Sequence, residues 1–290
     1  MKNKDKFFFF GFGQTAKYLV NNLVQSKKKF SFNATNTKRT SLKTFGKKKF
    51  KSFKFRDKFY DRKLIKKLIQ ADYILVSIPP QKKRDVVLGS FRNLLKKSKF
   101  KKLIYLSATS VYGNHNGKWV NENSKLKSRT KLGLGRKIAE KAWLKFRDLN
   151  KLDINVLRVS GIYSKENNVL KKISRTNIYV KEKKYFSRIR IEDLAQILKK
   201  MFFSQKKFMV LNASDDKPAT NKEVANFAAK LLKIKNLKPV PIAKFKNKMI
   251  KEFYKDSKKV SNEKMKNFFD YNLKFPTYVE GLENIRNNLA

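Results

Sequence analysis

Short, wholly apolar segments alternate with amphipathic segments along the first half of the chain. An apolar segment of about four to eight residues is typical of a strand buried on both faces, whereas apolar residues three and four apart are typical of a helix. The predicted strands are Lys6–Phe10, Phe30–Ala34, Phe53–Arg56, Ala71–Pro80, Lys102–Ser107 and Ile154–Val159, and the predicted helices include Ala16–Val24, Val86–Leu95 and Arg136–Asn150. This alternation predicts an α/β fold with a doubly wound, mostly parallel sheet.

The first apolar segment runs directly into two glycines, in the stretch KFFFFGFGQTAKYLV from Lys6 to Val20. A secretion signal needs an apolar region of about 7 to 15 residues. Gly11 and Gly13 interrupt this region, and Lys17 falls where it would have to continue. No other stretch approaches the roughly 18 apolar residues of a membrane span. We therefore expect an unprocessed cytoplasmic protein without a membrane contact.

The same stretch matches the pattern G-x-G-x-x-G/A of a dinucleotide-binding turn between a strand and a helix. Gly11 permits the tight turn, Gly13 lets backbone N–H groups approach a pyrophosphate, and Ala16 lets the helix pack closely on the strand. The positive end of the helix dipole would face the pyrophosphate. We predict a dinucleotide site here, with Gln14 and Thr15 as further contacts.

The end of the second predicted strand bears on the identity of the dinucleotide. In this fold an acidic residue at that position binds the ribose hydroxyl of NAD, whereas basic or hydroxyl residues accept the 2′-phosphate of NADP. Thr35, Lys38 and Arg39 stand there, and no Asp or Glu occurs between Lys6 and Arg56. The sequence favours NADP(H) over NAD(H). The alternative is that these two cations are ordinary surface charges of a basic protein.

Three later strand ends are expected to contact the same cofactor. Asp57 follows the third strand and is expected to face the adenine. The fourth strand ends at Ser77, Ile78 and Pro79, and the fifth ends at Ser107. The carboxyl ends of parallel strands form the ligand-binding edge of such a sheet, so these residues are predicted to line the cofactor site.

The net charge is the most unusual property of the 290-residue chain. Its 72 Lys and Arg residues outnumber 22 Asp and Glu residues and give a formal charge of +50. A field of this size attracts polyanions, but the lysines are spread over the whole chain and no nucleic-acid-binding motif accompanies them. We interpret the charge as lysine-rich compositional drift, with a nucleic-acid function as the alternative. With no cysteine and one histidine, His115, we expect no metal site.

Several ordered motifs carry a family resemblance. They are Gly11-Phe12-Gly13, YLSATSVYG (Tyr105 to Gly113), LRVSGIY (Leu157 to Tyr163), FSRIRIEDLAQIL (Phe186 to Leu198) and YNLKFPTYVEGL (Tyr271 to Leu282). Together they resemble the NAD(P)-dependent epimerase/dehydratase family of extended short-chain dehydrogenases. The resemblance implies a Rossmann-type NAD(P)-binding domain over residues 1–160. A smaller substrate-side region, with elements that return to the sheet, would follow over residues 161–290.

The chain departs from the family at its catalytic positions. The family uses a Ser or Thr hydroxyl, a proton-transferring Tyr, and a Lys four residues after the Tyr. Here the hydroxyl position falls on Ala108, the Tyr position on Leu132 and the Lys position on Arg136. The residues left for altered chemistry are Thr109, Tyr112, Arg136 and Lys137.

The resemblance implies an atypical dehydrogenase or epimerase that acts on a small, anionic carbonyl or nucleotide-sugar substrate. Arg158, Ser160 and Arg188 are the predicted substrate contacts. A catalytically silent NADP(H)-binding sensor or assembly protein is the alternative, because the Tyr-x-x-x-Lys pair is missing. The expected partners are a small-molecule substrate and, as an option, a second copy of the chain in a homodimer, with no specific nucleic acid.

Overall fold

The computed structural model describes residues 4–81 and 84–288, and it confirms the predicted α/β class. The strands are β1 (Asp5–Phe10), β2 (Phe30–Asn36), β3 (Ser41–Phe45), β4 (Lys48–Arg56), β5 (Phe59–Tyr60), β6 (Tyr73–Val76), β7 (Lys102–Ala108), β8 (Trp119–Val120), β9 (Ile154–Val159), β10 (Gly161–Tyr163), β11 (Ile178–Val180), β12 (Tyr185–Phe186), β13 (Arg188–Arg190), β14 (Val210–Ala213), β15 (Ala219–Thr220), β16 (Lys238–Val240) and β17 (Lys259–Val260). The helices are α1 (Gln14–Gln25), α2 (Lys63–Ile69), α3 (Val86–Lys97), α4 (Lys131–Asn150), α5 (Val169–Thr176), α6 (Ile191–Phe203), α7 (Asn221–Leu231), α8 (Lys248–Phe253), α9 (Glu263–Phe269) and α10 (Tyr278–Asn287).

The large sheet has the strand order β14-β9-β7-β6-β1-β2-β4-β3, with β5 paired to β4. The pairs β1–β2, β1–β6, β6–β7 and β2–β4 are parallel. Helix α1 connects β1 to β2, and α3 connects β6 to β7. The strands that follow the glycine turn therefore form the doubly wound parallel sheet that the sequence predicted.

Strand β1 lies at the centre of this sheet and is made almost entirely of phenylalanine. Phe7, Phe8, Phe9 and Phe10 are each at most 1% exposed. Because side chains alternate between the faces of a strand, two rings pack on each face. Phe8 and Phe10 belong to an apolar cluster that also contains side chains of α3. The four-phenylalanine block is thus a core strand, as predicted.

The other face of β1 carries a continuous cluster of aromatic rings. Phe9 packs against Phe12 and Phe32, with ring centroids 6.2 and 5.5 Å apart. Phe12 in turn lies 4.8 Å from Phe50 and 5.4 Å from Phe45. Aromatic pairs at these separations contribute about 0.5–1.5 kcal/mol beyond the burial of their area. The residue between the two glycines is therefore anchored in the core.

A β-hairpin replaces the helix that usually joins the second and third parallel strands. Strand β3 runs antiparallel to β4 and forms the edge of the sheet, with Leu42 opposite Lys51. The sequence predicted only the second half of this hairpin, Phe53–Arg56, as a strand. Strand β3 (SLKTF) has no alternation of apolar and polar residues, and its side chains are all at least partly exposed.

Two compact units are interleaved along the chain. The first unit comprises Met1–Ser107, Gly135–Leu157 and Ala195–Val210, and the second comprises Ala108–Leu134, Arg158–Leu194 and Leu211–Ala290. The predicted boundary near residue 160 lies close to one crossing, between Leu157 and Arg158, but the chain also crosses at 107/108, 134/135, 194/195 and 210/211. The second unit has its own apolar core, formed mainly by α5, α7 and α10.

Within the second unit, small pairs of strands replace a large sheet. Strand β10 pairs with β13, β11 with β16, β12 with β15, and β8 with β17. The segment Leu237–Ile242, predicted as a linker or an edge, contributes β16 to one of these pairs. Helices α7 and α10 each begin with a capping box, at Thr220 and Thr277. None of the helices within residues 4–81 and 84–288 is long and apolar enough to span a membrane.

We predict that Phe8→Ala lowers the free energy of unfolding by about 3–5 kcal/mol, because it leaves a cavity beneath the central strand. The control is Leu42→Ala on the edge strand, where the side chain is 71% exposed; we expect a change within about 0.5 kcal/mol. Urea denaturation measures both. Equal, small effects of the two substitutions would contradict the central position of β1.

Candidate functional site

The turn after β1 requires glycine at its first position. Gly11 has φ +90°, in the region that favours glycine, and a Cβ there would lie 2.9 Å from Ser77 Oγ. The N–H of Gly11 donates to Thr35 Oγ1 at 2.9 Å, and Ser77 Oγ donates to the carbonyl of Phe10 at 2.9 Å. Residues from the ends of β1, β2 and β6 thus fix this turn from both sides.

Gly13 precedes α1 and leaves the start of that helix open. It is exposed, and a Cβ on it would meet no atom within 4 Å. No side chain caps the helix at this residue, and its first turn contains no acidic residue. The first N–H groups of a helix lack internal partners and carry partial positive charge. The start of α1 is therefore suited to bind a pyrophosphate, while Ala16, at 0% exposure, packs against the core as predicted.

A cleft of about 710 Å³ opens at this turn in the first unit. The predicted cofactor residues that line it are Gly11, Gly13, Thr35, Asp57, Ser77, Ile78 and Pro79. Asn36, Thr37, Arg56, Phe59 and Val86 also line it. Pockets for small-molecule ligands have volumes of about 300–1,000 Å³, and this cleft falls within that range. Its volume, the open Gly13 and the uncapped start of α1 all fit a dinucleotide.

The predicted phosphate contacts at the end of β2 divide into two groups. Thr35 is 2% exposed, and its hydroxyl is occupied by Gly11. Lys38 and Arg39 are exposed in the turn that follows β2. Asn36 stabilises this turn: its Oδ1 accepts from the N–H of Lys38 at 2.8 Å, and its Nδ2 donates to Ser52 Oγ at 2.8 Å. Neither cation is among the residues that line the cleft.

The hairpin between β4 and β5 places two residues that the sequence did not reveal, Arg56 and Phe59, on the cleft beside the predicted Asp57. Asp57, at its turn, forms an ion pair with Arg84. Arg56 is exposed on the cleft beside it, and Phe59 is 77% exposed there. An exposed phenylalanine just after a turn was the available signal for Phe59. It could not be recognised while the hairpin itself was unknown.

Ser107 and Arg136 are engaged in internal contacts of the first unit. Ser107 Oγ donates to Glu140 Oε2 at 2.8 Å, and both residues are buried. Arg136 donates to the carbonyl of Leu106. Lys137, beside it on α4, is half-buried. The arginine in the family's lysine position therefore binds the end of β7.

A separate pocket of about 190 Å³ lies in the second unit. Its polar lining includes Thr109, Ser110, Thr130 and Tyr185, and its apolar lining includes Leu132, Phe186, Met249 and Phe253. The single turn of 3₁₀-helix at Thr109–Tyr112 presents two of these hydroxyls, and it ends at Gly113 with φ +72°. A Cβ at Gly113 would lie 2.5 Å from the backbone N of Ser128, so this turn also requires glycine.

Tyr112 points into the protein interior. It is 0% exposed, its hydroxyl donates to Asn212 Oδ1 at 2.8 Å, and Arg158 Nη1 donates to that hydroxyl at 3.0 Å. Burial raises the pKa of Tyr112 to about 12. Arg158 also donates to the carbonyl of Glu122 at 3.2 Å. In this structure Tyr112 and Arg158 therefore belong to an internal hydrogen-bond network, and their predicted roles at a substrate stay predictions.

Of the other predicted substrate contacts, Ser160 is buried and Arg188 is bound to backbone carbonyl groups. Ser160 is 4% exposed. Arg188 Nη1 donates to the carbonyl groups of Phe186 at 2.9 Å and Ala219 at 3.1 Å. Neither residue is among those that line the pocket. Tyr185, which the sequence reasoning missed, does line it, and Lys259 Nζ lies 4.4 Å from the centre of its ring.

Solved structures of known proteins share this fold. No protein-family model matches the chain, and no curated protein sequence matches it. A conserved protein of unknown function from Silicibacter pomeroyi is 26% identical, with a TM-score of 0.84 over 98% of this chain and 99% of that one. The dTDP-glucose 4,6-dehydratase of Bacillus anthracis, in complex with NAD, is 16% identical, with a TM-score of 0.77 over 98% and 96% of the two chains. The UDP-N-acetylglucosamine 4-epimerase of Bacillus cereus is 14% identical, with a TM-score of 0.76 over 99% of each chain.

The likeness to the dehydratase and the epimerase shows that this chain has the Rossmann-type fold of NAD-dependent epimerases and dehydratases. The fold implied by the family resemblance is thereby confirmed. At 14% and 16% identity the likeness concerns the fold alone.

Asp215 of the second unit gives a test of the structure through pH. This side chain is 1% exposed, and burial raises its pKa to about 8 from the ordinary value of 3.8, against the opposing effect of Arg188. The folded protein therefore holds a proton that the unfolded chain releases, so stability falls as the pH rises from about 4 to about 8. We predict that Asp215→Asn removes this loss.

Melting temperatures across the pH range measure the effect. Below pH 4 the variant and the wild type should be equally stable, because both side chains are then neutral, and the advantage of the variant should grow toward pH 8. A difference that is independent of pH would show that Asp215 is ionised in the folded protein.

Proposed function

We propose that this chain is an atypical NADP(H)-dependent enzyme that transfers a hydride to or from a small carbonyl or alcohol substrate. The observation that carries the proposal is the start of α1. Gly11 is obligatory at the turn, Gly13 is open, and the N-terminus of the helix has no side-chain cap. The cleft at this position is large enough for a dinucleotide. The fold shared with NAD-dependent enzymes supports it.

The cofactor would be held by the first turn of α1 and by side chains of the cleft in the first unit. The first turn of α1 would bind the pyrophosphate, Phe59 would pack on the adenine, and Ser77 with Ile78 would contact the nicotinamide half. The only carboxylate among the described residues that line the cleft is Asp57, and it is paired with Arg84. Arg56 is the exposed cation on the cleft, and we propose that it, more directly than Lys38 or Arg39, favours the 2′-phosphate of NADP(H).

The second unit would supply the groups that bind the substrate oxygen. When bound, the reduced nicotinamide supplies a hydride, and the resulting alkoxide needs a proton. Thr109 and Tyr185 are the two hydroxyl-bearing side chains that we assign to this task, because both line the pocket and neither is fully buried. We assign polarisation of the substrate oxygen to Thr109 and proton transfer to Tyr185.

A catalytically silent NADP(H)-binding protein is the second candidate, and a specific observation favours it. Leu132 stands at the family's tyrosine position, and Arg136, at its lysine position, is engaged by the carbonyl of Leu106. The chain therefore lacks the Tyr and Lys that transfer the proton in the resembled family. Turnover then depends on the hydroxyls of Thr109 and Tyr185 alone.

We predict that NADPH binds at least several-fold more tightly than NADH, and that Arg56→Gln removes most of this difference. Lys58→Gln is the matched control, because it removes the same charge from an exposed position of the same hairpin that does not line the cleft. Gly13→Val should abolish the binding of both dinucleotides, because a branched side chain would fill the pyrophosphate position. Titration calorimetry decides each point, and equal affinities for NADH and NADPH would refute the proposed preference.

We predict that Thr109→Val and Tyr185→Phe each lower kcat by about 100-fold or more while the affinity for NADPH stays unchanged. The control is Tyr179→Phe, which removes a hydroxyl from the buried core of the second unit. The assay follows NADPH absorbance over a panel of simple carbonyl compounds and nucleotide sugars. Tight NADPH binding without oxidation by any member of the panel would favour the silent alternative.

A further inference from the structure

Large apolar side chains remain exposed around the pocket of the second unit. Leu132 is 54% exposed, Met249 63% and Phe253 56%. The ring of Phe253 stacks on that of Phe186, with centroids 4.6 Å apart and an interplanar angle of 15°. In a protein whose surface is dominated by lysine, this group of apolar side chains around one opening marks a binding surface.

The charged side chains at this pocket are already neutralised by each other. Lys258 Nζ lies 3.5 Å from Asp256 Oδ2, and both side chains are only 12% exposed. Glu252 forms an ion pair with Lys255. No arginine is among the residues that line the pocket. Phosphate groups are recognised by cations that can approach them, above all by arginine, so nothing here is arranged to bind a diphosphate.

Three arginines of the second unit, Arg158, Arg188 and Arg190, are engaged by groups of the same unit. Arg158 contacts Tyr112 and the carbonyl of Glu122, Arg188 contacts two carbonyl groups, and Arg190 pairs with Glu192. The side chains of Arg158 and Arg190 are moreover buried. The predicted preference for an anionic substrate therefore has no support from these residues.

The size of the pocket limits its ligand further. Its volume is about 190 Å³. An apolar cavity of about 150 Å³ holds one benzene molecule, whereas pockets for drug-sized ligands begin near 300 Å³. One six-membered ring with a short substituent fills the space. A sugar that carries a nucleoside diphosphate would have to extend out of the pocket, beyond its apolar lining.

We propose that this pocket binds the ring-sized apolar group of an uncharged ketone or of the corresponding alcohol, and that nucleotide sugars are not its ligands. The proposal rests on the hydride-transfer function above and names the substrate class for it. Phe186, Phe253, Met249 and Leu132 would contact the apolar group. Thr109, Ser110 and Tyr185 would contact the oxygen.

Acetophenone is the probe, because a ketone forms imines with the many lysines less readily than an aldehyde does. Saturation-transfer NMR at about 1 M NaCl, where charges are screened beyond about 3 Å, should detect its binding. We expect the Kd to rise at least fivefold in Phe253→Ser and in Met249→Ser, both of which alter exposed side chains. Leu149→Ser, at a side chain that is 69% exposed in the first unit, should leave the Kd unchanged.

UDP-glucose is the competing ligand under the same conditions. Binding of UDP-glucose that weakens in Phe253→Ser would overturn the proposal, and so would an acetophenone signal that is absent or equal in all variants. Calorimetry with NADPH on the same samples separates the two proposals. If acetophenone binds and NADPH does not, the cofactor assignment fails and the pocket assignment stands; if NADPH binds and acetophenone does not, the reverse holds.

Discussion

The hydrogen bond from the N–H of Gly11 to Thr35 Oγ1 fixes the geometry on which the first unit depends. It joins the end of β1 to the end of β2, and Ser77 joins β6 to the same turn through the carbonyl of Phe10. Gly11, which lies between these bonds, has φ +90°, and a Cβ on it would lie only 2.9 Å from Ser77 Oγ. The direction in which α1 leaves the sheet follows from this turn, and with it the direction of its free N–H groups. In the proposed dinucleotide site, Thr35 would therefore act by shaping the turn.

Acidic residues are scarce in this chain, which carries only 22 of them, and several of them have a defined structural role. Asp193 is fully buried and accepts hydrogen bonds from the Tyr271 hydroxyl and from the N–H groups of Lys274 and Phe275. Other carboxylates cap helices, namely Asp85 at α3, Glu223 at α7 and Glu280 at α10. These carboxylates are thus found where backbone groups need an acceptor, whereas most lysines occupy exposed or partly exposed positions. We interpret this distribution as the mark of compositional drift, in agreement with the interpretation from the sequence.

The parts of the fold that could be predicted are those decided by neighbours in the sequence. The glycine turn and β1 were found within one residue, because burial on both faces and a positive φ leave direct traces in the sequence. Strand β3 was missed, since the five residues SLKTF of this exposed edge strand place their two apolar residues, Leu42 and Phe45, three apart and not two apart. The internal hydrogen bond of Tyr112 could not be predicted, because its partner, Asn212, lies 100 residues away. The pocket of the second unit was invisible for the same reason, because its lining comes from separate segments between Thr109 and Val260.

One substitution connects the missing catalytic tyrosine to the apolar pocket. Leu132 stands at the position where the resembled family has its proton-transferring tyrosine, and its side chain lines the pocket together with Met249 and Phe253. Replacing a phenol by an isobutyl group removes a proton donor and at the same time extends an apolar wall. Leu132 would then account both for the missing tyrosine and for the proposed preference for an apolar substrate. If the two proposals hold, the apolar substrate class would go together with the change of proton donor, and Tyr185, on β12 of the same unit, would be the phenol that acts in place of the missing tyrosine.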